Sequence, residues 1–387
     1  MKVVFVSNYF NHHQKPFCEE MYRRLGTNFT FISTTVMREE RKRLGYSQND
    51  TPEYVLLSYE SEEKYNNALT LINDADVVIA GSAPNMMLLD RIRSGKLLVR
   101  YSEHLFKKEV SFLKKVYYSI LFRKKDLFRK GIYMLCASAY TASDYESMGM
   151  YKKHTYKWGY FPDFREYDID ELLSRKKENT ILWCGRFIDW KHPDDAILLA
   201  RKLRDEGYSF NLNMIGSGVM EAELKKIVDE FNLGNVVHFL GSMPPVQVRT
   251  YMEEAGIYLF TSDHQEGWGA VLNESMNSGC AVVASDAIGS VPYLLNDKNG
   301  VTYESGNIQM LYKKVKYLLN NPNKQTSLGR HAYLTIESEW NPRIATDRLL
   351  TLLEHILYKG IVPNLYKDGP CSISAIIGKD TFKRKST

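Results

Sequence analysis

Ten short apolar runs, separated by segments of helical length, leave this chain few folds to choose from. KVVFVS, NFTFIS, ADVVIA, KLLVRY and IYMLCAS occupy the first half; TILWCG, FNLNMIG, VVHFLG, GIYLFTS and CAVVAS occupy the second. Between them lie stretches such as HPDDAILLARKLRDEG and GVMEAELKKIVDEFNLG, the latter stopped by glycine. Strand-like runs that alternate with helices form βαβ units, whose parallel sheet is buried on both faces. The alternation restarts after WGYFPDFREYDIDELLSRKKENT, a charged, turn-rich stretch suited to a linker. The expectation is α/β, with two doubly wound Rossmann-like domains facing across a cleft, at residues 1–165 and 178–340. A third stretch, 341–387, holds an amphipathic helix (SEWNPRIATDRLLTLLEHILYKG) and a basic tail ending in KDTFKRKST, expected to be loosely held.

A length of 387 residues suits two domains rather than one core. Hydrophobic residues at 44% and charged residues at 25% are the balance of a soluble globular protein. No apolar run approaches the ~18–20 residues that span a bilayer. MKVVFVSN reads as a first strand, not a signal peptide. Five scattered cysteines without a C-x-x-C pair suit a reducing cytosol and argue against a disulfide frame or structural zinc. The net charge of +5 is uneven: Met1 to Arg165 carries 26 Lys/Arg against 18 Asp/Glu, the remainder 25 against 28. The first half is therefore expected to meet an anionic partner.

The most informative stretch is HQEGWGAVLNESMNSGCAVVASD, with Glu266 and Glu274 around Gly267 and Gly269. A strand ending at LFTS would run through this loop into a helix, and ligands bind beyond the carboxyl ends of such strands. The amides of Gly269, Ala270 and Val271 would face a phosphate. Glu274, more than a turn inside, could hold ribose hydroxyls, and Glu266 could accept hydrogen bonds from a sugar. The plain reading of the same residues is a capping acid and a surface acid. WCGRFIDWKHPDD places Arg186 and Lys191 after another strand, where two cations suit a diphosphate. Gly216 to Gly218 (GSG) reads as a tight strand-to-helix turn rather than a phosphate site.

Together, GRFIDWKHPDD, MIGSG, VVHFLGSMPP and EGWGAVLNESMNSGCAVVASDAIGSVPYLLNDKNGVTYES resemble the donor half of a family-4 glycosyltransferase. The resemblance runs from about Ile181 to the helix after Trp340. It implies the GT-B fold and retaining sugar transfer from a nucleotide-sugar. It further implies that Arg186 and Lys191 bind the donor diphosphate, Glu266 the donor sugar and Glu274 the ribose. The base would sit near His238, Phe239 and Leu240, and the last helix would cross back to the first domain. Two departures stand out: Trp268, where Phe or a small residue is usual, and Asn273-Glu274-Ser275, where Leu-Glu-Ala is common. Trp268 is expected to reshape the sugar pocket.

The first domain matches less well. Its first loop, SNYFNHHQKPF, lacks glycine, so Asn8, His12, His13 and Gln14 are the acceptor-side candidates. Near KLLVRYSEHLFKKE, relatives often have a histidine that reaches the donor sugar; His104 is the candidate and Glu103 the alternative. LFKKEVSFLKKVYYSILFRKKDLFRKG holds nine Lys/Arg against two acids. Phe106, Val110, Leu113, Tyr117 and Ile120 would share one helical face, suiting residues 106–130 either to an anionic membrane surface or to internal packing. No nucleic-acid motif accompanies the charge. No metal triad or D-x-D pair sits at a suitable loop, so no cofactor is expected, and the helix terminus, Arg186 and Lys191 would replace a divalent ion. The expectation is a cytoplasmic, membrane-peripheral retaining glycosyltransferase with a lipid-linked glycan acceptor in surface-polysaccharide biosynthesis. Its rivals are a nucleotide-sugar epimerase, a glycogen-type synthase and a non-catalytic nucleotide-sugar-binding subunit.

Overall fold

In the computed structural model, residues 1–37, 51–108, 110–129, 131–360 and 363–377 are described. The chain divides into one unit of Met1–Asp163 with Asn341–Thr387 and a second of Phe164–Trp340. Each is built on a parallel sheet. The first contains β1 (Val3–Ser7), β2 (Phe29–Ser33), β3 (Val55–Leu57), β4 (Val77–Ala80), β5 (Leu98–Ser102), β6 (Tyr133–Cys136) and β7 (Thr155–Lys157), in the order β3-β2-β1-β4-β5-β6-β7. The second contains β8 (Lys177–Cys184), β9 (Asn211–Ile215), β10 (Val237–Gly241), β11 (Ala255–Phe260), β12 (Ala281–Ser285) and β13 (Val301–Tyr303), in the order β10-β9-β8-β11-β12-β13. Both orders run outward from the first strand of the unit and then reverse, as in doubly wound Rossmann-like folds. The reversal lies between β1 and β4 in one unit and between β8 and β11 in the other. In such sheets a crevice forms at the carboxyl ends of the strands where the order reverses.

The central strands are continuous buried runs because helices cover both faces. Val3 to Ser7, Ala255 to Phe260 and Ala281 to Ser285 are buried throughout. Helix Pro193–Asp205 lays Ala196, Ile197, Leu199, Ala200 and Leu203 onto the core of the second unit, with Ile181, Trp183, Leu212, Met214, Ile257 and Leu259. Three strands carry no signal long enough to read in the sequence: β3, β7 and β13, each three residues at a sheet edge.

Two stretches depart from the sequence expectation. The supposed linker is folded: Asp168 caps helix Ile169–Ser174 by accepting the amides of Asp170 and Glu171 at 2.9 and 3.0 Å. Leu172 is buried in the second unit, and the Tyr167 amide donates to the Tyr333 hydroxyl at 3.1 Å. The segment after the last helix is also held in part. The Cys371 amide donates to the Lys157 carbonyl and the Lys157 amide to the Ser372 carbonyl, both at 2.8 Å, which covers the edge of β7. Residues 379–387 of the basic tail lie outside the described residues. Helix Pro342–Lys359, capped by Asn341, buries Leu349, Leu353 and Ile356 within the first unit, and Arg24 on helix Lys15–Leu25 pairs with its Asp347 at 2.7 Å.

The basic stretch forms helix Phe112–Lys125, shorter than the 106–130 expected. Ser111 caps it, so Phe106 and Val110 precede the helix rather than share its face. Tyr118 and Phe122, one turn apart, take the inward side against Phe106, Met134, Tyr145 and Met148. Leu113, Tyr117 and Ile120 do share a helical face, without Phe106 and Val110, and it is exposed rather than packed internally. Glu109 and Lys130 lie outside the described residues.

Candidate active site

The loops after β8 and β11, neighbours at the reversal of the second sheet, carry the chemistry-bearing residues. After β8 the chain must pass close to the β9 loop. A Cβ on Gly216 would lie 1.8 Å from the Gly185 carbonyl oxygen, and one on Gly218 would lie 2.3 Å from that of Phe187. The Gly185 amide donates to Ile215 and the Phe187 amide to Ser217, at 3.0 and 2.9 Å. The GSG segment is therefore a backbone contact between two loops. Beyond it, a 3-10 turn at Asp189–Lys191 ends at His192 in the left-handed region, φ 48°, and helix Pro193–Asp205 begins.

That turn aims Lys191 at the β11 loop. Its Nζ lies 2.5 Å from Glu266 Oε2, which also accepts from Ser262 Oγ at 3.1 Å. Both members of the pair are nearly buried. The Lys191 ammonium lies 4.9 Å from the centre of the Trp190 ring, which also carries the exposed Arg186 guanidinium at 5.8 Å. Two further bonds fix the loops together: Thr261 Oγ1 donates to the Lys191 carbonyl at 2.7 Å, and the Asp263 amide to the Trp190 carbonyl at 3.0 Å. The structure thus brings Arg186, Lys191 and Glu266 to one crevice, as two cations and a carboxylate.

Gly269 follows with φ 80°, and a Cβ there would lie 2.3 Å from the Phe260 ring. Glycine is thus required both by the backbone and by the Phe260 face. Helix Val271–Asn277 starts at once, and the first amides of a helix have no intrahelical carbonyl. Because it starts at Val271, Glu274 falls in its first turn, not more than a turn inside as expected. Trp268 also departs from expectation. It is fully buried, packed on Trp340 and Tyr293 with ring centres 5.7 and 6.2 Å away, and donates from Nε1 to Asn273 Oδ1 at 2.8 Å. It is a core residue beneath the loop, not a wall of a sugar pocket. The two departures from the family pattern are therefore hydrogen-bond partners.

The expected base contacts divide. His238 bonds Asn211 at 3.3 Å and lines a shallow pocket with Lys177, Thr180, Asn213, Tyr251 and Glu254, at the amino ends of the strands. Its side chain is at the wrong end of the sheet for the crevice, because it is only the second residue of β10. Phe239 packs edge-on against Phe187 at 5.9 Å. Leu240 follows Phe239 toward the carboxyl end of β10 and is partly buried.

In the first unit, Asn8 opens the loop after β1; its carbonyl accepts the amides of Thr34 and Thr35 at 2.8 and 2.7 Å. Asn11 Oδ1 accepts those of His13 and Gln14 at 3.0 and 3.2 Å, turning the chain into helix Lys15–Leu25. The His12 and His13 rings lie 3.6 Å apart, and His13 stacks with Tyr160 at 5.9 Å. Tyr160 donates to Glu103 at 2.6 Å, and Lys107 reaches the same carboxylate at 3.3 Å. So His13, Tyr160 and Glu103 meet beyond β1 and β5; Tyr160 carries no motif that would have marked it. Gln14 is buried at the helix start. His104 differs from expectation: its side chain is fully buried, with Tyr140 at 5.7 Å between ring centres and Asp144 3.9 Å from Nδ1. Asp144 accepts the amides of Leu105 and Phe106 at 2.7 and 3.0 Å, which draws this segment inward, and burial pushes its carboxyl up to about 6. Of the adjacent pair, Glu103 is the partly exposed one.

One cluster went unread in the sequence. His192, Asp194 and Asp195 present ligand atoms within 4.8 Å of one another and could hold a cation. His192 also pairs with Asp263 at 3.5 Å, which raises its pKa against the effect of burial. Burial, with Asp194 adding repulsion, lifts Asp195 to about 7. Both acids also sit in the first turn of a helix, where the dipole favours them without a metal.

Residues 164–335 match the family model for glycosyl transferases of group 1. The chain resembles the amylovoran biosynthesis glycosyltransferase AmsK of Erwinia amylovora, 28% identical over 46% of this chain and 44% of that protein. It also resembles the putative colanic acid biosynthesis glycosyltransferase WcaL of Escherichia coli, 22% identical over 59% and 58%. The chain spans about half the length of the curated relatives it matches. Solved structures align more fully. Anabaena Alr3699/HepE in complex with UDP gives a TM-score of 0.67 at 14% identity, covering 92% of this chain and all of that one. The lipopolysaccharide outer core galactosyltransferase WaaB gives 0.64 at 18%, covering 93% and 100%. The fold is that of the GT-B glycosyltransferases, with two Rossmann-like units. Among the described residues, no helix is long and apolar enough to cross a membrane.

Proposed function

We propose that this protein is a retaining glycosyltransferase that moves a sugar from a nucleotide-sugar to a glycan acceptor, lipid-linked, in surface-polysaccharide assembly. The observation that carries this reading is the joining of Lys191, Glu266 and Arg186 at the strand reversal of the second unit. Ligand crevices of doubly wound sheets lie at that point. Lys191 and Arg186 take the diphosphate, with the amides at the start of helix Val271–Asn277. Glu266, held by Lys191 and Ser262, accepts from a sugar hydroxyl, and Glu274 from the ribose. Relatives named for amylovoran, colanic acid and capsular polysaccharide biosynthesis support the choice of pathway class. Glu103 and His13 are the acceptor-side groups.

The bond from the anomeric carbon to the diphosphate oxygen breaks as the acceptor oxygen bonds to the same face. The departing phosphate oxygen takes the acceptor proton. Lys191 and Arg186 stabilise the negative charge as it grows on the diphosphate, which is where a preorganised cation lowers the barrier most. No metal ion is assigned a role. The test is the anomeric configuration of the product by NMR: the donor's configuration is expected, and inversion would overturn the mechanism.

A further inference from the structure

We infer that helix Phe112–Lys125 is a docking surface for an anionic phospholipid bilayer. On its outward face Phe112, Leu113, Tyr117 and Ile120 are 78, 79, 63 and 58% exposed, with Val116 between them. Their spacing puts all five on one side, while Tyr118, Ser119 and Phe122 hold the other side to the unit's core. No residue of the helix is fully buried, so burial against the unit does not explain the apolar stripe. The helix has no acid; Arg123 and Lys124 border the stripe, Arg123 also donating to the Met148 carbonyl at 3.0 Å, while Lys115 and Lys125 lie over the Phe106 and Phe122 rings at 5.8 and 4.8 Å. Phe128, 65% exposed, follows, and Arg129 beside it is fixed by donating to the Arg93 carbonyl at 2.6 Å.

An aromatic-aliphatic stripe bordered by cations fits the region where acyl chains meet anionic headgroups. A second copy of this helix would oppose cations to cations. A nucleic acid would satisfy the charge but leave Leu113 and Ile120 without a role. The surface contains none of the residues assigned to sugar transfer, and the inference does not rest on that reading.

The experiment is co-sedimentation of the full-length protein with vesicles of phosphatidylglycerol and phosphatidylcholine, and with vesicles of phosphatidylcholine alone. Binding to the anionic vesicles, weakened by salt, is expected. Lys124→Ala should lower the partition about fivefold, the effect of one interfacial cation. Leu113→Glu with Tyr117→Glu should abolish binding; both side chains are exposed, so circular dichroism should be unchanged. No binding to anionic vesicles, or binding unaltered by the double substitution, would overturn the inference. So would equal binding to neutral vesicles, or a dimer or an oligonucleotide complex that the double substitution abolishes while vesicle binding persists.

Discussion

Lys191 Nζ and Glu266 Oε2 lie 2.5 Å apart although 75 positions separate them in the chain. The two loops meet because β8 and β11 are neighbours in the sheet, so a salt bridge in the crevice is a consequence of strand order.

Removing one partner leaves a nearly buried charge alone. Lys191→Ala or Glu266→Ala should each cost about 3 kcal/mol in urea unfolding, and the double substitution less than their sum. Additive single costs would show that the two side chains do not interact in solution.

Gly269→Ala tests the packing beneath the loop. Positive φ and the contact with Phe260 both oppose a methyl group, so a loss of more than about 2 kcal/mol is expected. Trp268→Phe should cost about 1–3 kcal/mol, since Asn273 then loses a buried partner, and Trp268→Phe with Asn273→Leu should recover part of it. Calorimetry on the three variants checks both; no recovery would mean that the bond is incidental.

Much of the fold could be read from the chain because its central strands are buried on both faces and therefore appear as unbroken apolar runs. Edge strands such as Val55–Leu57 escape because a half-exposed strand of three residues needs no such run. At the site, the local loops were enough to expect Arg186, Lys191 and Glu266 on the same side of the sheet, where the structure has them. The side-chain directions could not. His104 turns inward toward Asp144, His238 points to the amino ends, and Trp268 drops into the core, each set by neighbours distant in sequence. The start of helix Phe112–Lys125 was hidden for a related reason: it depends on the Ser111 cap, which leaves Phe106 and Val110 outside the helical face shared by Leu113, Tyr117 and Ile120.

The His192–Asp263 pair and Asp195 make stability depend on pH. His192 has a raised pKa in the folded state, so its pair stabilises fully below the unfolded value and fades as pH rises through the folded one. Asp195, about 7 when folded, binds its proton more tightly in the folded state than in the unfolded. Its burial therefore lowers stability progressively between roughly pH 4 and 7. Asp195→Asn should raise stability at pH 8 by on the order of 2 kcal/mol and change little at pH 4. Asp263→Asn should destabilise at pH 6 and not at pH 9. Thermal melts across pH check both; an Asp195→Asn effect larger at pH 4 than at pH 8 would contradict the assignment.

Chelation separates the roles of the cations. Sugar transfer should be unchanged by EDTA if Lys191 and Arg186 neutralise the diphosphate. A loss restored by Mn²⁺ and absent in Asp194→Asn would assign that charge to an ion at His192, Asp194 and Asp195 instead.

The most direct test is a melting-temperature shift with a panel of nucleotide-sugars, with and without EDTA, on the parent protein, Lys191→Ala and Glu274→Ala. Ligand that binds only the folded state raises the midpoint by mass action. One donor class should stabilise the parent regardless of EDTA, and neither variant. Folded parent protein that no nucleotide-sugar stabilises would contradict a donor site built from Lys191, Glu266 and Arg186.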